Sequence, residues 1–536
     1  MKNILRSAAA VAAAALSATT LTVAASPAGA QTAGVNWGEC PVRVDQPGAQ
    51  CGTVEVPVDH ANPDGEKMEV SLVRLPAGGE KRGTVFANPG GPGVDAMGVY
   101  GSTQGMAYPA AMREHYDVVA VQPRGLSGSR PMTCSENASA DFVSQTVNVG
   151  GAVRSACEAT HPGFPRQITT ENTAGDWESV RAALGEDRIN ILGVSYGTLL
   201  GSVYASTYPE RVDKLVLDSG FNRETMWAPL MNGQRAGYER SLHDFFGWVA
   251  ANDETYHLGD TPLKAYQSWS AAVTAEAGTN PTVAPPAAQV GDVPAGLEWA
   301  GQSAADLMTA TGLQRVQLES LASQATNPGA NQSNSELLVT TRLLVPTPAT
   351  WDVLAQMING SIDPAEAMGA ADEMDAETKD RALAEAAEVE ESFIYMQNTM
   401  ICNESEAPVN PALWPEALWY SLVTGDIFAS PGALFGSGAY CSGAPATTKV
   451  RPLDGSKLEH RPLQLQATGD PQTVYGNFDN MAGQMNSQVV TVHGPGHGQF
   501  GAGNPAADEL VMHYLETGEA SAAEIQGIDP SDPQIS

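Results

Sequence analysis

At 536 residues, with 61 acidic against 28 basic side chains and a formal net charge of −33, the chain is too long for one small domain. It is also too acidic to hold nucleic acid or an anionic membrane surface. An apolar fraction of 42% is ample for a large core.

Residues 1–30 have the layout of a secretory leader. Lys2 and Arg6 supply the charged start, residues 8–21 are small and apolar, and Ala28-Gly29-Ala30 offers a cleavage point. The mature chain is therefore expected to begin near Gln31 and to be secreted, with no membrane span. The six cysteines, Cys40, Cys51, Cys134, Cys157, Cys402 and Cys441, are an even set that suits an oxidising compartment. Sequential pairing is the simplest expectation, because each pair then falls within one local region. No Cys-x-x-Cys spacing suggests zinc.

Residues 53–58 and 68–74 alternate apolar and polar side chains around Asn62-Pro63-Asp64-Gly65. They predict an antiparallel hairpin, with Pro57 at a sheet edge. From Gly83 the pattern changes to short buried runs at 84–87, 116–121, 189–194 and 214–217, separated by glycine-rich loops or amphipathic stretches such as 174–184. That alternation predicts an α/β fold, a mostly parallel sheet flanked by helices. The rhythm stops after Gly220. Residues 221–450 hold long helix-prone stretches at 238–251, 303–321 and 376–397, which read as a helical insertion. Strand-like sequence returns at 461–467 and 488–492, and a last helix is expected over 506–516. The expected division is thus a leader (1–30), a first core part (31–220), a helical cap (221–450), a second core part (451–518) and a disordered polar tail (519–536).

Gly193-Val194-Ser195-Tyr196-Gly197 follows one apolar run directly and opens a helix-compatible segment. Strand, sharp turn and helix in that order leave a serine strained and exposed, with the glycines admitting a turn that a Cβ would block. A serine hydroxyl needs a histidine to take its proton, and the histidine needs a carboxylate to hold its tautomer. In the sheet architecture that uses this turn, the chain order is serine, acid, histidine. His497 lies in a loop just beyond the last predicted strand and is the expected base. His493 is the alternative, and the intervening Gly494-Pro495-Gly496 argues against a helical metal pair. Asp470, after the strand ending at Ala467, is the expected acid, with Asp218 at another strand end as competitor. The oxyanion donors are expected to be the amides of Tyr196 and of Gly91, or else Gly90, in Asn88-Pro89-Gly90-Gly91-Pro92-Gly93. This chemistry requires no cofactor.

Taken in order, these motifs, with Cys51-Gly52 leading into residues 54–59 and Pro123-Arg124-Gly125-Leu126-Ser127-Gly128-Ser129, span nearly all of the mature chain. The set resembles the α/β-hydrolase serine exopeptidases of the prolyl iminopeptidase group, and most of all the secreted actinobacterial tripeptidyl aminopeptidases. The resemblance implies an α/β-hydrolase fold, a cap between the nucleophile half and the Asp/His half, and a triad of Ser195, Asp470 and His497. It implies removal of short peptides from the N-termini of peptide or protein substrates. Glu404, in Ile401-Cys402-Asn403-Glu404, resembles an acidic position after a family cysteine and is the expected acceptor of the substrate α-ammonium. Two positions depart from the family: Gln122 stands where Asp is usual before the Arg-Gly of the second glycine loop, and Thr473-Val474 replaces Thr-Pro after the acid. An esterase using the same triad, or a binding protein on an inactive hydrolase scaffold, are the rival expectations.

Overall fold

The computed structural model describes residues 34–134, 148–362, 375–405 and 408–529. The expected leader, residues 1–30, lies outside them. Ten strands form one sheet: β1 (Asn36–Gly38), β2 (Gln50–Pro57), β3 (Lys67–Leu75), β4 (Gly83–Asn88), β5 (Tyr116–Val121), β6 (Ile189–Val194), β7 (Val212–Asp218), β8 (Leu463–Gly469), β9 (Gln488–Pro495) and β10 (Glu524–Gln526). Their order is β1-β2-β3-β5-β4-β6-β7-β8-β9-β10. From β5 to β10 every neighbouring pair is parallel, whereas β1 to β3 are antiparallel, as is β3 against β5.

The central strands β4, β5 and β6 are largely apolar and buried along their length because both faces of the sheet are covered there. Alternate side chains go to opposite faces, as the pleat requires. Phe86, Val119, Val121, Leu215 and Leu217 join one core with Trp177, Leu199 and Tyr204 from the helices Thr170–Leu184 and Tyr196–Thr207. Val85, Ala87, Val118, Ala120 and Val216 join the other core, with Met97, Leu510 and Tyr514.

The hairpin forms where expected, with Thr53 opposite Ser71. It is not the outermost pair, since β1 adds outside it, but β1 reaches only Cys51 to Thr53. Pro57 therefore lies beyond the outer partner, where its missing N–H removes no ladder bond. The tail is a correction. Disorder was expected for residues 519–536, yet Glu524–Gln526 pairs in parallel with Thr491 to His493 of β9. Its three residues are too short to give a periodicity, and only the open sheet edge makes them a strand.

Between β7 and β8 the described residues form helices and no strand. This block has a core of its own around Phe245, Phe246, Trp269 and Trp351. Its long helix Ala376–Glu404 begins exposed and acidic and ends with Met396, Met400 and Ile401 buried in the core of the sheet. Disulfides join Cys40 to Cys51, Cys134 to Cys157 and Cys402 to Cys441, the last tying the end of that helix to the approach to β8. No helix among the described residues is long and apolar enough to cross a membrane.

One buried ion pair fixes the loop after β5. Arg124 and Asp176 are both fully buried, and the guanidinium grips the carboxylate through Nε (2.8 Å) and Nη2 (2.6 Å). The same arginine donates to the carbonyls of Pro57 and Val58 at the end of the hairpin, and His60 Nε2 lies 2.8 Å from Asp176. Removing one member of a buried pair leaves an uncompensated charge. Asp176→Ala is expected to lower stability by about 3–5 kcal/mol, read as a shift in the urea midpoint, with Arg124→Met/Asp176→Leu recovering much of the loss.

Candidate active site

β6 ends at Val194, and the chain turns at Ser195 with φ 56° and ψ −124° before the helix Tyr196–Thr207 begins. A positive φ on a residue bearing a Cβ is strained and is tolerated where the surroundings over-determine it. Here the Ser195 amide donates to the Asp218 carbonyl (2.9 Å), and its own carbonyl accepts from the Thr198 amide (2.9 Å) and hydroxyl (2.5 Å). Both flanking glycines are obligatory: a Cβ on Gly193 would lie 2.2 Å from the Gly197 carbonyl oxygen, and one on Gly197 2.4 Å from that of Asn88. The turn is thereby pressed against the loop that follows β4.

That loop is built from residues that only glycine satisfies. Gly90 and Gly91 have φ of 100° and 107°. A Cβ on Gly90 would sit 2.6 Å from the Val194 carbonyl, 2.8 Å from Ser195 Cβ and 3.0 Å from the Tyr196 nitrogen. The Gly90-Gly91 segment therefore runs alongside the serine and the first amide of its helix, as a pair of oxyanion donors would require.

His497 and Asp470 come together at the ends of β9 and β8. His497 Nδ1 is 3.0 Å and 2.9 Å from the two carboxylate oxygens of Asp470. Asp470 is fully buried, and it also accepts from the amides of Gln472 (2.7 Å) and Thr473 (2.9 Å) and from the Thr473 hydroxyl (2.7 Å). Burial alone would raise its carboxyl, but the His497 charge and these donors hold it below the ordinary range. Burial alone would lower the imidazole of His497, but the Asp470 charge and hydrogen bond, with Asp218 beyond, leave it raised. The ring is thus set up to gain a proton, with Nε2 turned away from Asp470.

Asp218, the competing acid, makes no hydrogen bond to the imidazole among the described residues. Its Oδ2 accepts the amides of Gln499 (2.7 Å) and Phe500 (2.9 Å), while the Ser219 hydroxyl accepts that of Gly498 (2.9 Å). Burial raises Asp218 to about 6. The strand end that receives the Ser195 amide thus also pins the loop carrying His497, which brings Ser195 and that loop to one place. On the cap side the His497 amide donates to the Pro346 carbonyl (2.8 Å). No Ser195 Oγ–His497 Nε2 hydrogen bond is formed among the described residues; such bonds are commonly loose in an unliganded site and tighten on substrate. His493 lies on the outside of β9, 3.2 Å from Glu524, and takes no part.

Two cavities adjoin this region. One, of ≈ 640 Å³, is bounded by Gly91, Tyr238, Arg342, Gln397 and Gln472, so it runs from the loop after β4 into the helical block. No carboxylate among the described residues lines it. The other, of ≈ 410 Å³, is bounded by Trp227, Glu404 and Lys449. Glu404 is buried, raised to about 7 by that burial, and its oxygens accept the amide and hydroxyl of Thr170. Thr170 Oγ1 in turn lies 2.6 Å from the Tyr196 phenol. Glu404 therefore lines the smaller cavity and not the one beside Gly91.

Gln122, the departure in the second glycine loop, bridges the two loops: its carbonyl accepts from Ala96 (3.0 Å) while its amide donates to Asp95 (2.7 Å) and to Ser127 (3.0 Å). A carboxylate could not make both kinds of bond. Thr473, Pro346 and Arg342 were not singled out for the site. Only Thr473 left a trace in the sequence, beside Asp470; the other two arrive from the cap.

A family model described as "alpha/beta hydrolase fold" matches residues 83–386, and one described as "TAP-like protein" matches residues 431–526. The tripeptidyl aminopeptidase of Streptomyces lividans is 35% identical over 261 residues, 45% of this chain and 48% of that protein. Serine protease Hip1 of Mycobacterium tuberculosis is 33% identical over 42% of this chain and 46% of its own. The chain thus spans about half the length of these curated relatives. Carboxylesterase B of M. tuberculosis is 26% identical over 88% of this chain and 84% of its own.

Three outcomes check the geometry. Because His497 is raised and must be neutral to act as a base, the rate of covalent labelling by a fluorophosphonate is expected to fall as pH drops through a value above the ordinary ~6.5 of histidine. Asp470→Asn should slow labelling by about 10³–10⁴-fold and move that limb to lower pH. Gly197→Ala, which drives a Cβ into the Asn88 carbonyl, should cost about 10²-fold in labelling through displacement of the oxyanion loop.

Proposed function

We propose that this chain, which belongs to the α/β-hydrolase family, is a secreted serine exopeptidase that cleaves peptide bonds near a free amino terminus, releasing short peptides such as tripeptides. Ser195 Oγ attacks the scissile carbonyl as His497 takes its proton, and the amides of Tyr196 and Gly91 hold the oxyanion. The intermediate collapses to an acyl-enzyme as His497 returns the proton to the departing amine. Water, deprotonated by His497, then releases the acyl peptide and restores the serine. Asp470 keeps the imidazole in the required tautomer. The helical block of residues 221–450 serves as the lid.

The observation that carries the reading is the buried Asp470–His497 pair, anchored through residues 218 and 219 to the strand end beside Ser195. The relatives named as a tripeptidyl aminopeptidase and a serine protease favour peptides as substrates. Three disulfides suit an extracellular site of action. Glu404 is the carboxylate proposed to meet the α-ammonium, approached through the cleft it shares with Lys449.

A second reading, an esterase on the same triad, is favoured by the cavity without carboxylates and by the likeness to a carboxylesterase along most of the chain. The decisive comparison sets a free-amine tripeptide amide against its N-blocked form and a simple acyl ester. The free peptide is expected to exceed the blocked one by at least about 10-fold in kcat/KM, with Glu404→Gln removing that preference and sparing ester hydrolysis. Equal rates on free and blocked peptides would reject the aminopeptidase. Ser195→Ala should abolish fluorophosphonate labelling; labelling that persists at another residue would remove the whole mechanism.

A further inference from the structure

The ≈ 640 Å³ cavity that runs from Gly91 into the helical block has one charged residue in its wall, Arg342. Around it the lining among the described residues is aromatic, aliphatic, hydroxyl or neutral amide, including Tyr238, Gln397, Ser421 and Gln472. Arg342 stands on the helix Glu336–Leu344, and its guanidinium lies over the Tyr238 ring (4.5 Å) and near that of Phe428 (5.7 Å). Those two rings hold the guanidinium plane in place. Its Nη1 is buried with no hydrogen-bond partner, and no carboxylate among the described residues lies within 4.0 Å of it.

Its neighbour Arg235 is handled differently. Arg235 also lies over an aromatic ring, that of Tyr420, but it is matched by Asp426 at 3.7 Å. In a chain with 61 acidic side chains against 28 basic ones, acids for neutralising a cation are plentiful, yet Arg342 has been given none. A planar donor fork held on two rings, short of an acceptor and facing a cavity, is matched to a carboxylate. The position relates it to the chemistry. Burial raises the Tyr238 phenol, with the Arg342 charge lowering it and the Asp470 charge raising it, so this ring lies within reach of both groups. Gln472, two residues from Asp470, lines the same cavity and receives a hydrogen bond from Gln234 at its carbonyl (3.2 Å).

We infer that Arg342 is a specificity-determining residue which binds a carboxylate of the substrate, so that this cavity takes a largely apolar segment carrying a single negative charge. The inference rests on the proposed hydrolase reading and narrows its substrate class. The carboxylate has two sources, an acidic side chain within the peptide or the free C-terminus of a short one. The net negative field of the protein repels both at long range, which leaves selection to this contact.

The test pairs each acid with its neutral isostere. Free-amine tripeptide p-nitroanilides carrying Glu or Gln at each position in turn probe the side-chain source. Short peptides ending in a free carboxylate or an amide, titrated calorimetrically into the Ser195→Ala protein, probe the C-terminal one. In one of the two arms the acid is expected to be favoured by at least about 10-fold. Arg342→Gln should remove that preference, lowering the acid by about 10–100-fold and its isostere by less than about 3-fold, while Arg342→Lys keeps part of it. Equal values for acid and isostere in both arms, or a loss in Arg342→Gln that is the same for both, overturns the inference and leaves Arg342 as a packing residue. If Arg342→Gln does not fold, the wild-type comparison and Arg342→Lys decide alone. If the labelled enzyme cleaves no peptide, the peptidase reading falls, and Arg342 is then judged on an acid and neutral pair of esters.

Discussion

The constraint on which the site depends is the contact between backbones at the ends of β4 and β6. At each close approach one partner is a glycine just past a strand end: Gly90 leans on Val194 and Ser195, and Gly197 leans on Asn88. Side chains at those positions would push the loops apart by an ångström or more, and the serine would lose both its strained orientation and the amides alongside it. The parallel sheet makes such an approach available, because it brings the carboxyl ends of neighbouring strands to one edge. The glycines let the chain use it.

The second organising feature is the way buried charge is managed at β7 and β8. Asp470 is stripped of water and would be expensive to keep ionised, so four donors surround it, one of them the imidazole it orients. Asp218, equally buried, sits at the neighbouring strand end and spends its oxygens on backbone amides of the histidine loop. Two carboxylates of similar burial thus have different work, one facing the ring and the other fixing the loop that carries it. The distinction follows from which donors lie within reach, since both residues are aspartates at the ends of parallel strands.

The helical block contributes to the site in ways the sheet does not. It supplies the Pro346 carbonyl that receives the His497 amide, the Gln397 amide that donates to the Pro92 carbonyl (3.0 Å), and the wall holding Arg342. Its long helix ends in the core of the sheet and is tied there by the Cys402–Cys441 disulfide. The block therefore touches both the loop after β4 and the loop carrying His497, and a change in its packing reaches the two together.

The amino-acid sequence by itself determined the α/β alternation, the hairpin, the helical interruption and the glycine turn at Ser195, because each rests on short-range pattern: period two, period 3.6, or a backbone angle that only glycine tolerates. His497 and Asp470 were legible for a related reason, since chain order at successive strand ends restricts where an acid and a base can stand. Tertiary structure alone decided the rest. That Asp218 holds a loop, that Glu404 lines the smaller cavity and not the one at Gly91, that residues 524–526 become a strand and that Arg342 has no acid beside it among the described residues all depend on which surfaces meet between segments well apart in the chain. Local sequence carries no record of such meetings, because the energy that settles them comes from burial and charge pairing between segments that are neighbours only after folding.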